Sequence, residues 1–361
     1  MDTRERFLQT LRFGMPDRIP YYELGLWHST VERWYGEGLP EEVPQDRVFD
    51  FLGFDRLWED VGVNFGMLPP FKERVIREGG GRKVILDSDG IEKEILTQGS
   101  ETSMPHFIRF PVKTREDFEA IKQRYDPDTK WRCPRWWSDR VRCWKERDYP
   151  LKIGGFGFFW TLRKWMGFER TLTLFYDDPA LIHEMLDFLA DFYVRSMEKA
   201  LQETDIDWAY ISEDMAFKTA SMISPAMFRE FLMPAYRKVT DTLHKYGVEI
   251  IFVDSDGNVN ELIPLWLEAG VNGILPLEVQ AGMDPVALRR RYGRDLLIMG
   301  GIDKKALARG RSAIEEEVVS KIPYLIEKGG YIPMVDHTVP PDVPFENYLY
   351  YRELIRKIAE G

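Results

Sequence analysis

The chain has 361 residues, of which 44% are hydrophobic and 30% charged, and its net charge is −11. This composition is that of a globular protein, and α/β barrels of about 250 residues or more commonly form one domain. The negative charge disfavours nucleic acid and anionic membrane surfaces as partners, because both need a basic face on the protein. No apolar run approaches the roughly 18 residues that a membrane-spanning helix needs.

The N-terminal 150 residues have an irregular pattern. An amphipathic helix is predicted at residues 3–13, an apolar strand at 21–26, and a β-hairpin at 74–96 with glycine-rich turns. A tryptophan-rich stretch at 131–144 is a candidate lid, an oligomer contact or a packed loop. We expect these parts to belong to one domain that spans residues 1–361.

The charged start of the chain is not typical of a signal peptide. The two cysteines, Cys133 and Cys143, suit a reducing compartment. The sequence therefore favours a cytoplasmic protein.

From residue 150 onward, predicted strands and helices alternate. Strand candidates end near Gly155, Ser212, Val253, Leu277, Gly300 and Val335. The clearest helix covers residues 178–201, where Asp178 can cap the N-terminus and Pro179 suits the first turn. Further helices are predicted from Ser224, at 260–269 and at 284–291. Alternation of this kind indicates parallel βα units and an α/β fold.

Acidic side chains follow most of these strands. They are Glu213, Asp254, Asp256, Glu278, Asp303 and Asp336, and His337 follows the last of them. In a parallel barrel the carboxyl ends of the strands share one edge, here called the rim, where catalytic groups lie. A second reading is that βα loops are polar and that aspartate favours helix N-termini.

Two kinds of site fit this pattern. Asp254, Asp256 and His337 can hold a divalent metal, with Glu213 or Glu278 as a fourth ligand. Alternatively, Asp336 and His337 form an acid/base pair without a metal.

Aromatic residues near two strand ends are candidates for substrate binding. Trp27 and His28 follow the first predicted strand, and Phe158, Phe159 and Trp160 follow a glycine-rich stretch that lacks the phosphate-loop pattern. We interpret the glycines as allowing close backbone approach, and the aromatic rings as an apolar wall for a planar ligand. Asp303 is a further substrate-binding candidate.

The chain resembles the uroporphyrinogen decarboxylase-like superfamily over nearly its whole length. The resemblance is carried by residues 3–7, 16–20, 223–228, 254–278, 300–304 and 336–343. It implies a (β/α)8 TIM barrel with an irregular N-terminal region that carries a β-hairpin. It also implies a homodimer, which is common in the superfamily.

The superfamily has two branches, and the resemblance is closer to the second. The first decarboxylates uroporphyrinogen and binds its carboxylates with arginines after the first strand, but residues 21–28 contain no arginine. The second moves methyl groups between corrinoids and small acceptors with a zinc held by a His-x-Cys-Gly motif and a later cysteine. Here Asp254, Asp256 and His337 stand at the matching positions, so Zn²⁺, Mn²⁺, Fe²⁺ and Mg²⁺ all remain candidates.

Three functions follow as hypotheses. The first is a metal-dependent methyltransferase that acts on a small molecule with a corrinoid supplied by a partner protein, since the chain lacks an Asp-x-His-x-x-Gly stretch. The second is a decarboxylase or lyase that uses Asp336 and His337. The third is a non-catalytic barrel that binds a small ligand.

Overall fold

A computed structural model describes residues 1–56, 58–97 and 104–360. Its N-terminal part contains helices α1 (Thr3–Leu11), α2 (His28–Tyr35) and α3 (Val48–Phe51), strands β1 (Glu59–Asp60), β2 (Arg74–Gly79), β3 (Arg82–Leu86), β4 (Glu92–Leu96) and β5 (His106–Arg109), and helices α4 (Arg115–Lys122) and α5 (Trp137–Lys145).

The remaining strands are β6 (Leu151–Phe156), β7 (Trp208–Ser212), β8 (Ile251–Asp254), β9 (Gly273–Leu275), β10 (Leu297–Met299) and β11 (Tyr331–Ile332). The helices among them are α6 (Phe159–Met166), α7 (Phe168–Asp177), α8 (Pro179–Glu203), α9 (Pro225–Met227), α10 (Met233–Lys245), α11 (Ile263–Glu268), α12 (Pro285–Tyr292), α13 (Lys304–Arg309), α14 (Arg311–Lys328) and α15 (Phe345–Glu360). A π-helical turn, Phe228–Leu232, joins α9 to α10.

Two sheets form within the described ranges. Seven parallel strands pair in the order β1-β6-β7-β8-β9-β10-β11 and make a curled, TIM-like α/β sheet. Strands β2 to β5 form a separate antiparallel sheet of four strands. The predicted hairpin at 74–96 is therefore confirmed as β2 to β4, and the structure adds β5 as a fourth strand.

The predicted strand at residues 21–26 is only partly present. Within this described segment, ladder pairing is limited to a bridge between Leu26 and Val339. The Tyr21 carbonyl instead accepts a hydrogen bond from the Asp55 amide. The segment is extended but irregular because its backbone partners are loops rather than a neighbouring strand.

Two helix predictions are confirmed at their capping residues. Asp178 caps α8 by accepting from the Leu181 amide, and Ser224 caps α9 in the same way through Met227. The helix predicted at 260–269 is shorter, since α11 begins only at Ile263. None of the helices in the described ranges is long and apolar enough to cross a bilayer.

The interior has two hydrophobic clusters. The inner cluster lies within the curl of the parallel sheet, where Phe7 and Leu11 of α1 pack with Trp208 and other strand side chains. The outer, larger cluster lies between the sheet and the surrounding helices. Helices thus cover the outer face of the sheet, and α1 covers one end of its interior.

Glycines let two neighbouring strands approach closely. A Cβ at Gly154 would lie 2.4 Å from the Tyr210 carbonyl oxygen, and one at Gly157 would lie 1.8 Å from the Ser212 oxygen. Only glycine fits at either position. The interpretation of the glycine-rich stretch as a place of close backbone approach is confirmed.

Candidate active site at the carboxyl ends of the strands

The parallel strands bring their carboxyl ends to one rim. Asp254 is the last residue of β8, Glu213 directly follows β7, and Glu278 lies shortly after β9. Asp336 and His337 follow β11 and the bridge between Ile302 and Val335. The geometry of the rim depends on which way each of these side chains turns.

Asp254 is a half-buried carboxyl group at the end of β8, on the rim. The Tyr210 hydroxyl donates a hydrogen bond to its Oδ2 atom. Burial raises the pKa of Asp254 to about 7, with Asp256 and Asp214 adding to the rise and Tyr210 opposing it. At neutral pH Asp254 is therefore partly protonated, so it can both donate and accept a proton.

His337 pairs with Asp256. Its Nε2 atom lies 3.4 Å from Asp256 Oδ2, and the hydrogen bond with Asp256 raises the pKa of the imidazole. The Trp27 ring lies nearly parallel to the imidazole, at 17° and 6.5 Å between centroids. Trp27 is 39% exposed, so it offers an open flat surface beside the histidine.

Asp336 has a different partner from the one predicted. Its Oδ1 lies 3.3 Å from Lys304 Nζ and its Oδ2 accepts from the Val279 amide at 2.9 Å. The same lysine lies 3.3 Å from Glu278 Oε1. Burial raises the pKa of Asp336, and Lys304 opposes the rise. Asp336, Lys304 and Glu278 thus form a charge cluster beside the His337–Asp256 pair.

Glu213 and Asp303 turn away from the rim. Glu213 is buried and accepts hydrogen bonds from the Phe158 and Trp160 amides at 2.9 and 3.0 Å, where α6 begins. Asp303 caps α13 by accepting from the Lys305 amide. Both carboxylates accept hydrogen bonds from amide groups at helix N-termini. This is the second interpretation that the sequence analysis gave for the acids after the strands.

The predicted aromatic wall divides between core and surface. Phe158 and Phe159 are fully buried in the outer cluster, because α6 begins here and turns both rings inward. Trp160 is half-buried, and the Arg163 guanidinium lies 5.3 Å from its ring centroid. His28 is exposed on α2, where it contacts Gln45 and Glu32. Of the predicted binding residues, Trp27 is the one whose ring stacks beside His337.

Two residues at this site were not among the sequence candidates. Asp214 has a positive φ of 49°, and its Oδ1 accepts from the Asp256 amide at 3.4 Å. Lys152 lies deeper, with Nζ 4.5 Å from the Tyr210 ring centroid and 3.7 Å from Asp60 Oδ2. The acidic pair at 213–214, directly after a predicted strand, was the signal for the first, and a lysine within an apolar strand was the signal for the second.

The predicted metal ligands lie close together but have other partners. Asp254 accepts from Tyr210, while Asp256 pairs with His337. Across residues 1–56, 58–97 and 104–360, no three His, Cys, Asp or Glu side chains are arranged to hold a metal ion. These described side chains as arranged do not fit a metal, and the steps proposed below place none on them.

Comparison with known proteins gives the same family by sequence and a matching fold by structure. Uroporphyrinogen decarboxylases of Legionella pneumophila and Thermus thermophilus are 24% and 25% identical over 221 and 224 residues, which is 59% of this chain in each case. The matches cover only 60% and 62% of those enzymes. A methyltransferase from Methanosarcina mazei is 15% identical, with a TM-score of 0.60 over 99% of this chain and 98% of that one.

The family itself follows from a match that is longer than these alignments. The sequence model described as uroporphyrinogen decarboxylase (URO-D) matches residues 96–358, well over half of the chain, and includes the rim from Asp214 to His337. The chain therefore belongs to the uroporphyrinogen decarboxylase (URO-D) family.

Proposed function

We propose that this chain is a methyltransferase that acts on a small molecule at the rim and uses Asp254 as its proton donor. The observation that carries the proposal is the partly buried Asp254–Tyr210 hydrogen bond beside the His337–Asp256 pair. The full-length fold likeness to a methyltransferase is compatible with this activity. Membership of an enzyme family supports catalysis over binding alone.

The charge of the rim favours a neutral or cationic substrate. Asp214, Asp254, Asp256 and Glu278 contribute carboxyl groups, and Lys304 pairs with the last of them. Residues 21–28 add no arginine. A substrate with many carboxylates would be repelled by this field, so uroporphyrinogen is a poor fit.

Methyl transfer from a heteroatom requires a proton donor beside that atom. When a methyl group leaves a heteroatom, the carbon–heteroatom bond breaks and its electron pair stays on the heteroatom. Protonated Asp254 would donate its proton to that atom, and Tyr210 would hold the carboxyl group in place. The His337–Asp256 pair would orient the substrate through a hydrogen bond from the imidazole.

The methyl acceptor in this proposal belongs to a partner. A corrinoid carried by a separate protein would supply a nucleophilic cobalt. The open face of Trp27 at the rim gives a flat macrocycle a surface to lie on. Phe158 and Phe159 take no part, since both are buried in the core.

A methyl-transfer assay tests this function. The purified chain is mixed with cob(I)alamin and a set of methylated amines, thiols and phenols, and methylcobalamin formation is followed by absorbance. We expect turnover with at least one donor and a loss of roughly 100-fold or more in kcat for Asp254→Asn, as is typical for a general acid. No transfer with any donor under reducing conditions would overturn the proposal.

A second candidate function is decarboxylation of a small acid. The family match favours it, and Lys304 is a cation that can bind one carboxylate at the rim. Here His337, paired with Asp256 rather than Asp336, would protonate the carbanion left when CO₂ departs. Release of CO₂ that continues in the presence of a chelator and is lost in His337→Ala would favour this function. Saturable ligand binding without any turnover would instead favour a binding protein.

We further propose that the sheet closes as an eight-stranded barrel, with residues 21–26 in the place of the eighth strand. Tyr22 packs in the inner cluster, and Leu26 bridges Val339 beyond β11.

A homodimer is the proposed assembly. Sedimentation of the purified chain at a mass near twice 42.4 kDa would support the dimer, and a monomer at all concentrations would contradict it.

A further inference from the structure

A cavity of about 510 Å³ lies away from the rim, between the loop at residues 127–137 and α8. We call it the α8 cavity. Its α8 side is formed by residues between 195 and 202, near the end of the helix that leads back to β7. Because α8 runs antiparallel to the strands that it connects, this end lies towards their amino ends, opposite to the rim. A ligand here would occupy a site separate from the candidate active site.

The charge of the α8 cavity is opposite to that of the whole chain. Its lining includes Lys130, Arg132, Arg195 and Lys199 against two acids, Asp128 and Glu198. The chain as a whole carries a net charge of −11. A local excess of positive charge in this acidic protein attracts anions to the α8 cavity.

The two lysines keep their charge available. Lys130 Nζ lies 4.6 Å from the Trp131 ring centroid, and Lys199 Nζ lies 5.8 Å from that of Trp137. In the part of the chain that the structure describes, both ammonium groups contact these rings and neither is paired with a carboxylate. By contrast, Arg195 is paired with Asp128 at 2.7 Å. Two exposed ammonium groups are thus free to bind an anion.

A buried hydroxyl group also lacks a partner at this site. Ser196 lines the cavity and is 3% exposed, yet its Oγ atom makes no hydrogen bond within the described residues. A buried hydroxyl without a partner is costly, so an acceptor or donor from outside the chain would satisfy it. An anionic oxygen could accept this hydrogen bond while it binds the lysines.

The loop that forms the other wall is held rigidly. The buried Arg132 guanidinium donates to the carbonyls of Asp126, Asn64, Gly66 and Arg124. Trp131, with a φ of 80°, stands in the left-handed region that few side chains adopt. The cavity is therefore formed before any ligand arrives, which lowers the entropic cost of binding.

We infer that the α8 cavity binds a small organic anion, in which a carboxylate or phosphate is attached to a flat apolar ring. The anionic group would lie between Lys130 and Lys199, and the ring would lie against Trp131 and Trp137, which also line the cavity. The volume is in the range of roughly 300–1,000 Å³ that is typical of small-molecule sites. This inference does not depend on the proposed methyl transfer.

Calorimetric titration of the purified chain tests the inference with three probes: phenyl phosphate, benzoate and the neutral benzyl alcohol. We expect one site per chain for at least one of the two anions, with at least tenfold weaker binding of benzyl alcohol. Lys130→Gln and Lys199→Gln should each weaken that binding about tenfold, since each removes a charge from the site. Ser196→Ala should weaken it severalfold.

Lys72→Gln is the matched control, because Lys72 is exposed and lies outside the cavity lining. It should bind the anions as the parent does. The inference is overturned if neither anion binds saturably below about 10 mM, or if Lys72→Gln weakens binding as much as the two cavity variants do. Lys130 and Lys199 are exposed, so their substitution should leave the fold intact. Circular dichroism of each variant checks this.

Discussion

Asp254 couples proton binding to the stability of the folded chain. Burial raises its pKa from 3.8 to about 7, so the folded chain holds this proton more tightly than the unfolded chain does. Stability therefore falls as the pH rises from about 4 to about 7, where the folded chain must ionise a buried group. Asp254→Asn should remove this part of the fall and raise the free energy of unfolding at pH 8 by roughly 2–4 kcal/mol, the upper figure being the full effect of a three-unit rise. Urea unfolding at pH 5 and pH 8 measures the effect.

The control for this prediction is Asp342→Asn, which changes an exposed aspartate. Its stability should follow the parent at both pH values. In Asp254→Asn the side-chain amide oxygen can still accept the Tyr210 hydrogen bond, so the substitution changes charge more than packing. If the stability of Asp254→Asn falls between pH 5 and pH 8 as steeply as that of the parent, ionisation of Asp254 does not destabilise the folded chain.

His337 gives a second pH effect of the same sign. The hydrogen bond with Asp256 is the main cause of its raised pKa, so Asp256→Asn should lower the pKa of His337. Because the folded-state pKa is raised, the stability that this pair contributes is present at low pH and is lost as the pH rises through that pKa. NMR titration of the imidazole Cε1 proton follows the change directly. Glu32→Gln, which alters a carboxylate beside His28 instead, should leave the His337 titration where it is.

At the scale of elements, Glu213 connects β7 to the start of α6. Its carboxylate accepts from the Phe158 and Trp160 amides, where α6 begins, and from the Tyr236 hydroxyl, at 2.6 Å for the last. Glu213→Ala would leave three donors, two of them buried, without this acceptor and should lower the free energy of unfolding by roughly 2–4 kcal/mol. Urea unfolding compares it with Glu261→Ala, which alters an exposed glutamate and should change little. Equal stability of the two variants would exclude a structural role for Glu213.

The sequence predicted elements whose signals are local. Asp178 followed by Pro179 fixes the start of α8, because the cap and the first turn involve adjacent residues. Residues 21–26 have the apolar pattern of a strand, but their backbone partners come from loops elsewhere in the chain. Strand pairing is set by such distant partners, and apolar pattern alone does not identify them.

The sequence predicted where these side chains lie in the fold, but not which groups they pair with. The positions of the acids after the strands placed Asp254, Asp256 and His337 at one rim, and the structure brings His337 within 3.4 Å of Asp256. The orientation of each acid was not predictable. A carboxylate directly after a strand can face the rim or turn back to the next helix, as Glu213 does. Asp336 pairs with Lys304, which is 32 residues away, rather than with its neighbour His337.

At the scale of the whole molecule, the inner cluster joins distant parts of the chain. Phe7 and Leu11 of α1 pack with side chains of β7 to β11 inside the curl of the sheet. The Phe7 ring centroid lies 5.8 Å from that of Trp208 and 6.1 Å from that of Tyr22. Loss of this contact would therefore affect the first helix and the sheet together, so the two should unfold as one unit.

Phe7→Ala tests this cooperativity. The side chain is fully buried, so its removal should leave a cavity and lower the free energy of unfolding by roughly 3–5 kcal/mol. Urea unfolding followed by both far-UV circular dichroism and tryptophan fluorescence should give coincident transitions, shifted together to lower urea. Met15→Ala, at a position 89% exposed, is the control and should keep the parent midpoint. If the two signals separate in Phe7→Ala, α1 unfolds independently of the sheet, and the inner cluster does not bind the molecule into one cooperative unit.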